Sequence, residues 1–157
     1  MIKNYTSQQE VSRSIESIER RLARFGAQDV IKSYAPGGYI ESVSFTMKTE
    51  AGLLCFRVPA KITECENFLR KQRKNAPTTQ QAKDLLRKQA TRTAWKIAAD
   101  WVDIQATLIL LGQGEFLQLF LSHVWNPVTK ITMYERFKGD GFKVITQITA
   151  DAGKERA

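Results

Sequence analysis

The chain has 157 residues, 43% of them hydrophobic and 25% charged, with a net charge of +8. That length suits one domain with a sizeable core, and the composition excludes a disordered or collagen-like chain. The surplus of positive charge favours nucleic acid, nucleotides or an acidic protein surface as partner, without fixing a fold.

The first ten residues are polar, unlike a secretory signal. The longest apolar run, Ile104 to Leu111, is broken by Gln105 and Thr107 and falls far short of the roughly 20 residues that span a bilayer. No membrane association is expected. Cys55 and Cys65 lack metal-ligand spacing and do not form a disulfide framework, so free thiols in a reducing cytoplasm are expected.

The first helix opens at a capping-box pattern, Ser7 and Glu10. Val11, Ile15, Ile18, Leu22 and Phe25 recur at helical spacing and form one apolar stripe. Gly26 then supplies a left-handed C-cap. Three strands are predicted next: Val30 to Tyr34, Tyr39 to Lys48 and Leu53 to Val58. Ala35-Pro36-Gly37-Gly38 and Thr49 to Gly52 turn the chain between them. In the middle strand Val43, Phe45 and Met47 alternate with Ser42, Ser44 and Thr46, which predicts an antiparallel meander with one dry face. The first helix or a long later helix covers that face.

Thr63 and Glu66 predict a second capping box and a helix to about Lys74. Pro77 breaks it. A long helix then runs from about Gln80 to Leu111, basic in its first half and apolar in its second, with Trp95 and Trp101. At 1.5 Å per residue it measures roughly 48 Å, longer than a small domain is wide, so it bends, breaks or projects. A short apolar helix, Glu115 to Val124, follows. Lys130 to Phe137 reads either as a strand or, through Thr132 and Glu135, as a capped one-turn helix. Phe142 to Ile148 reads as a strand, and Asp151 to Ala157 as a disordered tail after a single domain over residues 1–150. The expected class is α+β: a small antiparallel sheet packed by an N-terminal helix and a long helix, with a helical C-terminal half.

Between Lys61 and Lys96 stand ten Lys or Arg residues against Glu64, Glu66 and Asp84. Lys88, Arg92 and Lys96 share i,i+4 spacing and line one helix face, where like charges repel unless an anion sits among them. These three, with Arg73 and Lys74 ahead of the long helix, are the candidate phosphate contacts. Replacing Lys88, Arg92 and Lys96 together by Gln is expected to leave stability intact and weaken ligand binding at least tenfold. Trp95 or Tyr39 is the candidate base-stacking residue, and Tyr34, Tyr39 and Phe45 form a possible stacking platform on the sheet. Asp100 and Asp103 lie one turn apart without further ligands, which favours salt bridges to the basic segment of another chain over a metal. His123, the only histidine, reads as a packed, hydrogen-bonded histidine. There is no catalytic motif and no glycine-rich phosphate loop, so no enzyme, cofactor or metal is expected.

The order α-β-β-β-α over Ser7 to Lys74 resembles the topology of double-stranded RNA-binding domains. It departs from that family in having only Lys61 at the start of the last helix and no histidine in Ala35-Pro36-Gly37-Gly38. The chain as a whole resembles small accessory proteins of tailed phages and prophages of Gram-positive bacteria. The matching segments are Met1 to Gln8, Arg92-Thr93-Ala94-Trp95-Lys96-Ile97, Asp100-Trp101-Val102 with Gln105, and Glu115-Phe116-Leu117 leading to Phe120 and Leu121. That family lends context alone: an accessory gene of a mobile element, acting in the bacterial cytoplasm in phage DNA metabolism or against host immunity. The resulting expectation is a phage-type binder that sequesters a nucleotide immune signal of the host. The alternative is a nucleic-acid-binding accessory of phage replication or recombination. The apolar residues from Ala106 to Val124 exceed what a three-stranded sheet covers, so a homo-oligomer built on the long helix is expected.

Overall fold

The computed structural model describes residues 1–154. Six helices and two antiparallel sheets build an α+β fold, and its C-terminal half is mainly helical. The first helix, α1 (Val11–Arg24), buries Ile15, Ile18 and Leu22 on one stripe. It begins later than the Ser7–Glu10 pattern implies: Glu10 is the N-cap and makes no side-chain cap bond. Ser7 instead turns back locally, its hydroxyl accepting the Gln9 amide at 3.2 Å. The C-terminus is as expected. Gly26 has φ +91°, and its amide and that of Ala27 reach back to the carbonyls of Ala23 and Leu22, which closes a Schellman motif.

Strands β1 (Gln28–Tyr34), β2 (Ile40–Thr49) and β3 (Gly52–Pro59) pair in that order as an antiparallel meander. Val43, Phe45 and Met47 of β2 and Phe56 and Val58 of β3 form the dry face. Phe45 stacks on Phe56, with centroids 5.3 Å apart. Helix α2 (Ile62–Gln72) follows, then α3 (Gln80–Leu110), one unbroken helix of 31 residues capped by the Thr79 hydroxyl. α3 crosses the whole core: Leu86, Ala90, Ala94, Trp95, Ala98 and Val102 are buried against α1, α2 and the sheet. The long helix stays unbroken and packed towards its end, where Ala106 is buried and Ile109 lies against the core. Ile104, Leu110 and Leu111 are exposed.

The predicted helix from Glu115 is shorter than expected. It is α4 (Phe116–Phe120), continued by a single 3₁₀ turn at Leu121–His123. Phe116 and Phe120 stack at 4.2 Å and seal the sheet's dry face. Two short strands, β4 (Trp125–Asn126) and β5 (Ile131–Thr132), form a hairpin. The open choice after Lys130 resolves as a helix, α5 (Met133–Gly139). Thr132 and Glu135 form its capping box, with the Glu135 amide 3.2 Å from the Thr132 hydroxyl.

The strand expected at Phe142–Ile148 is instead helix α6 (Lys143–Lys154). Thr146 and Thr149, which favour strands in isolation, return their hydroxyls to carbonyls three and four residues back. Among the described residues neither sheet pairs with this segment, so the local hydrogen bonds of a helix win. The expected disordered tail is accordingly helical over residues 151–154, and its remainder, 155–157, lies outside the described residues. Both cysteines are free thiols, Cys55 in β3 and Cys65 in α2. No described helix is long and apolar enough to cross a membrane.

Candidate functional site

The cations singled out along α3 do not converge. Arg92 pairs with Glu10 of the α1 N-terminus at 3.1 Å, and Lys96 pairs with Asp100 one turn on. Lys88 is exposed, as are Arg73 and Lys74 between α2 and α3, and none of these three has a carboxylate partner among the described residues. Trp95 is fully buried in the core, and its indole N–H donates to the Ile40 carbonyl at 2.9 Å. That geometry removes it from any surface ligand. The sheet platform is also absent: Phe45 is buried and Tyr34 lies exposed at the far edge.

Asp100 and Asp103 of α3 pair within the chain. Asp103 meets Arg21 of α1, and Asp100 receives Lys96, Lys3 and the Asn4 amide. Burial alone would raise the Asp100 pKa. The hydrogen bonds from Lys96, Asn4 and Lys3, with the Lys96 charge, outweigh it and hold the carboxyl at about 2, below its usual 3.8. A depressed folded pKa stabilises the fold above the unfolded value, and the contribution is lost as pH falls through the folded value. Asp100 should therefore contribute on the order of 1–2 kcal/mol above about pH 4 that disappears towards pH 2. Urea melts of the parent and Asp100→Asn should converge over that window. Equal pH dependence in both would exclude the role.

Tyr39, by contrast, stands at the mouth of a cleft of about 680 Å³. It closes the β1–β2 turn, where Ala35 N–H donates to the Tyr39 carbonyl at 2.9 Å. Its ring lies over Gly37, where an added Cβ would come within 2.9 Å of Cε1, so only glycine lets the ring settle there. Arg87 of α3 lies 4.5 Å from the ring centroid, donates to the ring's hydroxyl, and reaches Glu66 of α2 at 2.6 Å. The sheet turn, α2 and α3 are thus tied through one guanidinium.

The cleft's floor is the end of the meander, Glu41, Arg57 and Pro59. Its far wall is the β4–β5 hairpin and α5, presenting Trp125, Tyr134 and Lys138. Arg57 lies 4.5 Å over the Trp125 ring, and Glu41 stands 3.7 Å from the same guanidinium. Three carboxylates, Glu41, Glu64 and Glu135, balance the three cations Arg57, Lys61 and Lys138. Glu135 is committed to its cap: backbone and side-chain hydrogen bonds from Thr132 hold its carboxyl below the ordinary glutamate range.

The near wall is the start of α2. The expected Thr63–Glu66 capping box does not form, because the helix begins two residues earlier than that pattern requires. Lys61 is the N-cap and supplies no side-chain acceptor. Thr63 and Glu66 both face Arg87 instead. The amides of Thr63 and Glu64 therefore make no hydrogen bond among the described residues, and they stand at the positive end of an 11-residue helix on the cleft wall.

His123 lines the same cleft, tilted against Trp101 at 4.6 Å with Nδ1 3.0 Å from the Ser122 hydroxyl. Burial, and then the charge of Lys61, push its pKa below the ordinary imidazole range, so the ring is neutral at pH 7. Among the described residues no cluster of His, Cys, Asp or Glu could hold a metal ion.

Sequence reasoning missed Arg57, Lys61, Trp125, Tyr134 and Lys138 as partners. They come from four separate elements, and no local spacing links them. Comparison of the chain with protein-family models, curated proteins and solved structures finds no significant match.

Proposed function

We propose that this protein is a non-enzymatic binder of a phosphorylated small ligand, a nucleotide, held in the cleft between α2 and the β4–β5 hairpin. The observation that carries this reading is the meeting of aromatic rings (Tyr39, Trp125, Tyr134) with Arg57, Lys61, Lys138 and the uncapped amides of α2 in a cleft of about 680 Å³. A cleft of that size suits a nucleotide. Rings stack on a base, and free amides at a helix N-terminus receive phosphate. The phage resemblance supplies the biological setting of the proposal, a bacterial cytoplasm in which the protein sequesters a nucleotide immune signal of the host. A thermal-shift screen with mononucleotides, cyclic dinucleotides and ADP-ribose derivatives tests it. A true ligand at a hundredfold its Kd stabilises the fold by about 2.7 kcal/mol and is recovered chemically intact. No shift with any of them refutes the reading, and a converted ligand refutes its non-enzymatic part.

One observation favours a second reading, a nucleic-acid-binding accessory of phage replication or recombination. Lys71, Arg73, Lys74, Lys83 and Lys88 are exposed around the α2–α3 connection and lack carboxylate partners among the described residues. Such cations track a backbone, and affinity should then fall with salt with a slope of about −0.9 per phosphate contacted on duplex DNA. Glutamine at Arg73, Lys74 and Lys88 would flatten that slope and leave nucleotide binding in the cleft unchanged.

Homo-oligomerisation through the end of α3 belongs to the same proposal. Ile104, Leu110 and Leu111 are exposed there, as is Leu121 on the neighbouring turn. Sedimentation at micromolar concentration should give a species larger than the 17.9 kDa chain. Leu110→Asp with Leu111→Asp should return it to monomer. A monomeric parent excludes the interface.

A further inference from the structure

A second cleft, of about 460 Å³, opens between α2, α3 and the end of β3. Its wall is made by Val58, Phe68, Ala94, Ile97, Ala98 and Trp101. Polar groups appear only at one end, where Lys61, Glu64 and His123 also line the nucleotide-sized cleft. An apolar trough thus ends at a cation, beside the positive end of α2 and a neutral imidazole. Water in such a trough has few hydrogen-bond partners, and an apolar chain displaces it favourably.

We propose that this trough binds a single-chain amphiphile with an anionic head, a fatty carboxylate or an alkyl phosphate. The tail lies along Val58, Phe68, Ile97 and Trp101, and the head meets Lys61 and the first amides of α2. Charge complementarity selects this occupant. A purely apolar guest would leave Lys61 unused, and a cationic head would face it directly. The inference does not rest on the nucleotide reading, since its ligand need not carry a base.

Isothermal titration of the full-length chain with hexyl, octyl and decyl phosphate, each below its micelle concentration, tests it. Affinity should rise about fourfold for each added methylene buried, until the trough is filled. Decanoate should bind comparably, which distinguishes a carboxylate from a phosphate source if only one does. Decanol and inorganic phosphate should bind at least tenfold more weakly. Ile97 is 37% exposed at the trough's edge, so Ile97→Glu should fold and weaken decyl phosphate at least tenfold. Ile97→Thr provides a milder version with an intermediate loss. Lys61→Gln should reduce the advantage of decyl phosphate over decanol. AMP binding should survive Ile97→Glu, which separates this site from the neighbouring one. Three results would overturn the proposal: no binding of any amphiphile, affinity independent of chain length, or a dimer that Ile97→Glu dissociates. The last would assign the trough to a second copy of the chain.

Discussion

Replacing Trp95 by alanine should cost about 3–5 kcal/mol of folding stability. The indole is fully buried at the centre of α3, and its loss leaves a large cavity. It also removes the hydrogen bond that ties α3 to the Ile40 carbonyl at the start of β2, and a part-buried acceptor deprived of its donor adds a desolvation cost. Domains of this size are commonly stable by 5–15 kcal/mol, so the variant should sit near the edge of folding. Urea denaturation followed by far-ultraviolet circular dichroism reads the midpoint directly. Trp95→Phe should recover part of the loss by filling much of the cavity, without restoring the hydrogen bond. A Trp95→Ala protein with the parent midpoint but no ligand binding would reverse the assignment and return this residue to the surface.

Trp125→Ala should act in the opposite sense, leaving the fold and weakening the nucleotide. The residue is half-buried in the short β4–β5 hairpin, outside the main core. Removing it takes away a stacking face worth about 1–3 kcal/mol per base, an affinity loss of tenfold or more. It also frees Arg57, whose guanidinium lies 4.5 Å over the ring. Trp125→Phe should retain much of the affinity, since a ring remains for both the base and Arg57. Titration calorimetry beside a thermal melt separates the two effects. A large drop in melting temperature together with lost binding would make Trp125 a structural residue and weaken the case for the cleft.

These two tryptophans show where the sequence was legible. Leu86, Ala90, Ala94, Ile97, Trp101, Ile104, Leu108 and Leu111 recur at helical spacing and assign α3 without help from the rest of the chain, although Trp95 and Val102, not Ile97 and Ile104, turn inward. The same holds for the stripe and the Gly26 stop of α1, and for the alternation of Val43, Phe45 and Met47 in β2. Helix and strand periods are local properties of the backbone, so a single sequence carries them. Periodicity does not say which of two exposed-looking aromatics turns inward. Trp95 was a plausible stacking residue until the sheet placed the Ile40 carbonyl within 2.9 Å of it.

Caps and ion pairs were less legible, because they depend on competition among partners. Thr63 and Glu66 have the spacing of a capping box, yet Arg87, 21 residues beyond Glu66, claims both of them. Lys88, Arg92 and Lys96 look alike on a helical projection. Only the packing of α1 and the N-terminal segment on α3 supplies Glu10 for Arg92 and sets Asp100 among Lys3, Asn4 and Lys96. The strand expected at Phe142–Ile148 became α6 for a related reason: alternation specifies a strand only if a sheet edge is there to receive its hydrogen bonds.

By itself, then, the sequence determined the element order through α3, the dry face of the meander, the Gly26 stop and the positive net charge, since each follows from side-chain period, backbone freedom or composition. The tertiary structure decided which cations remain unpaired and brought Tyr39, Arg57, Lys61, Trp125 and Tyr134 to one cleft. It also left the amides at the start of α2 free. Those outcomes rest on contacts between residues far apart in sequence, such as Glu10 and Arg92, 82 positions apart, and such contacts exist only once the chain has closed on itself.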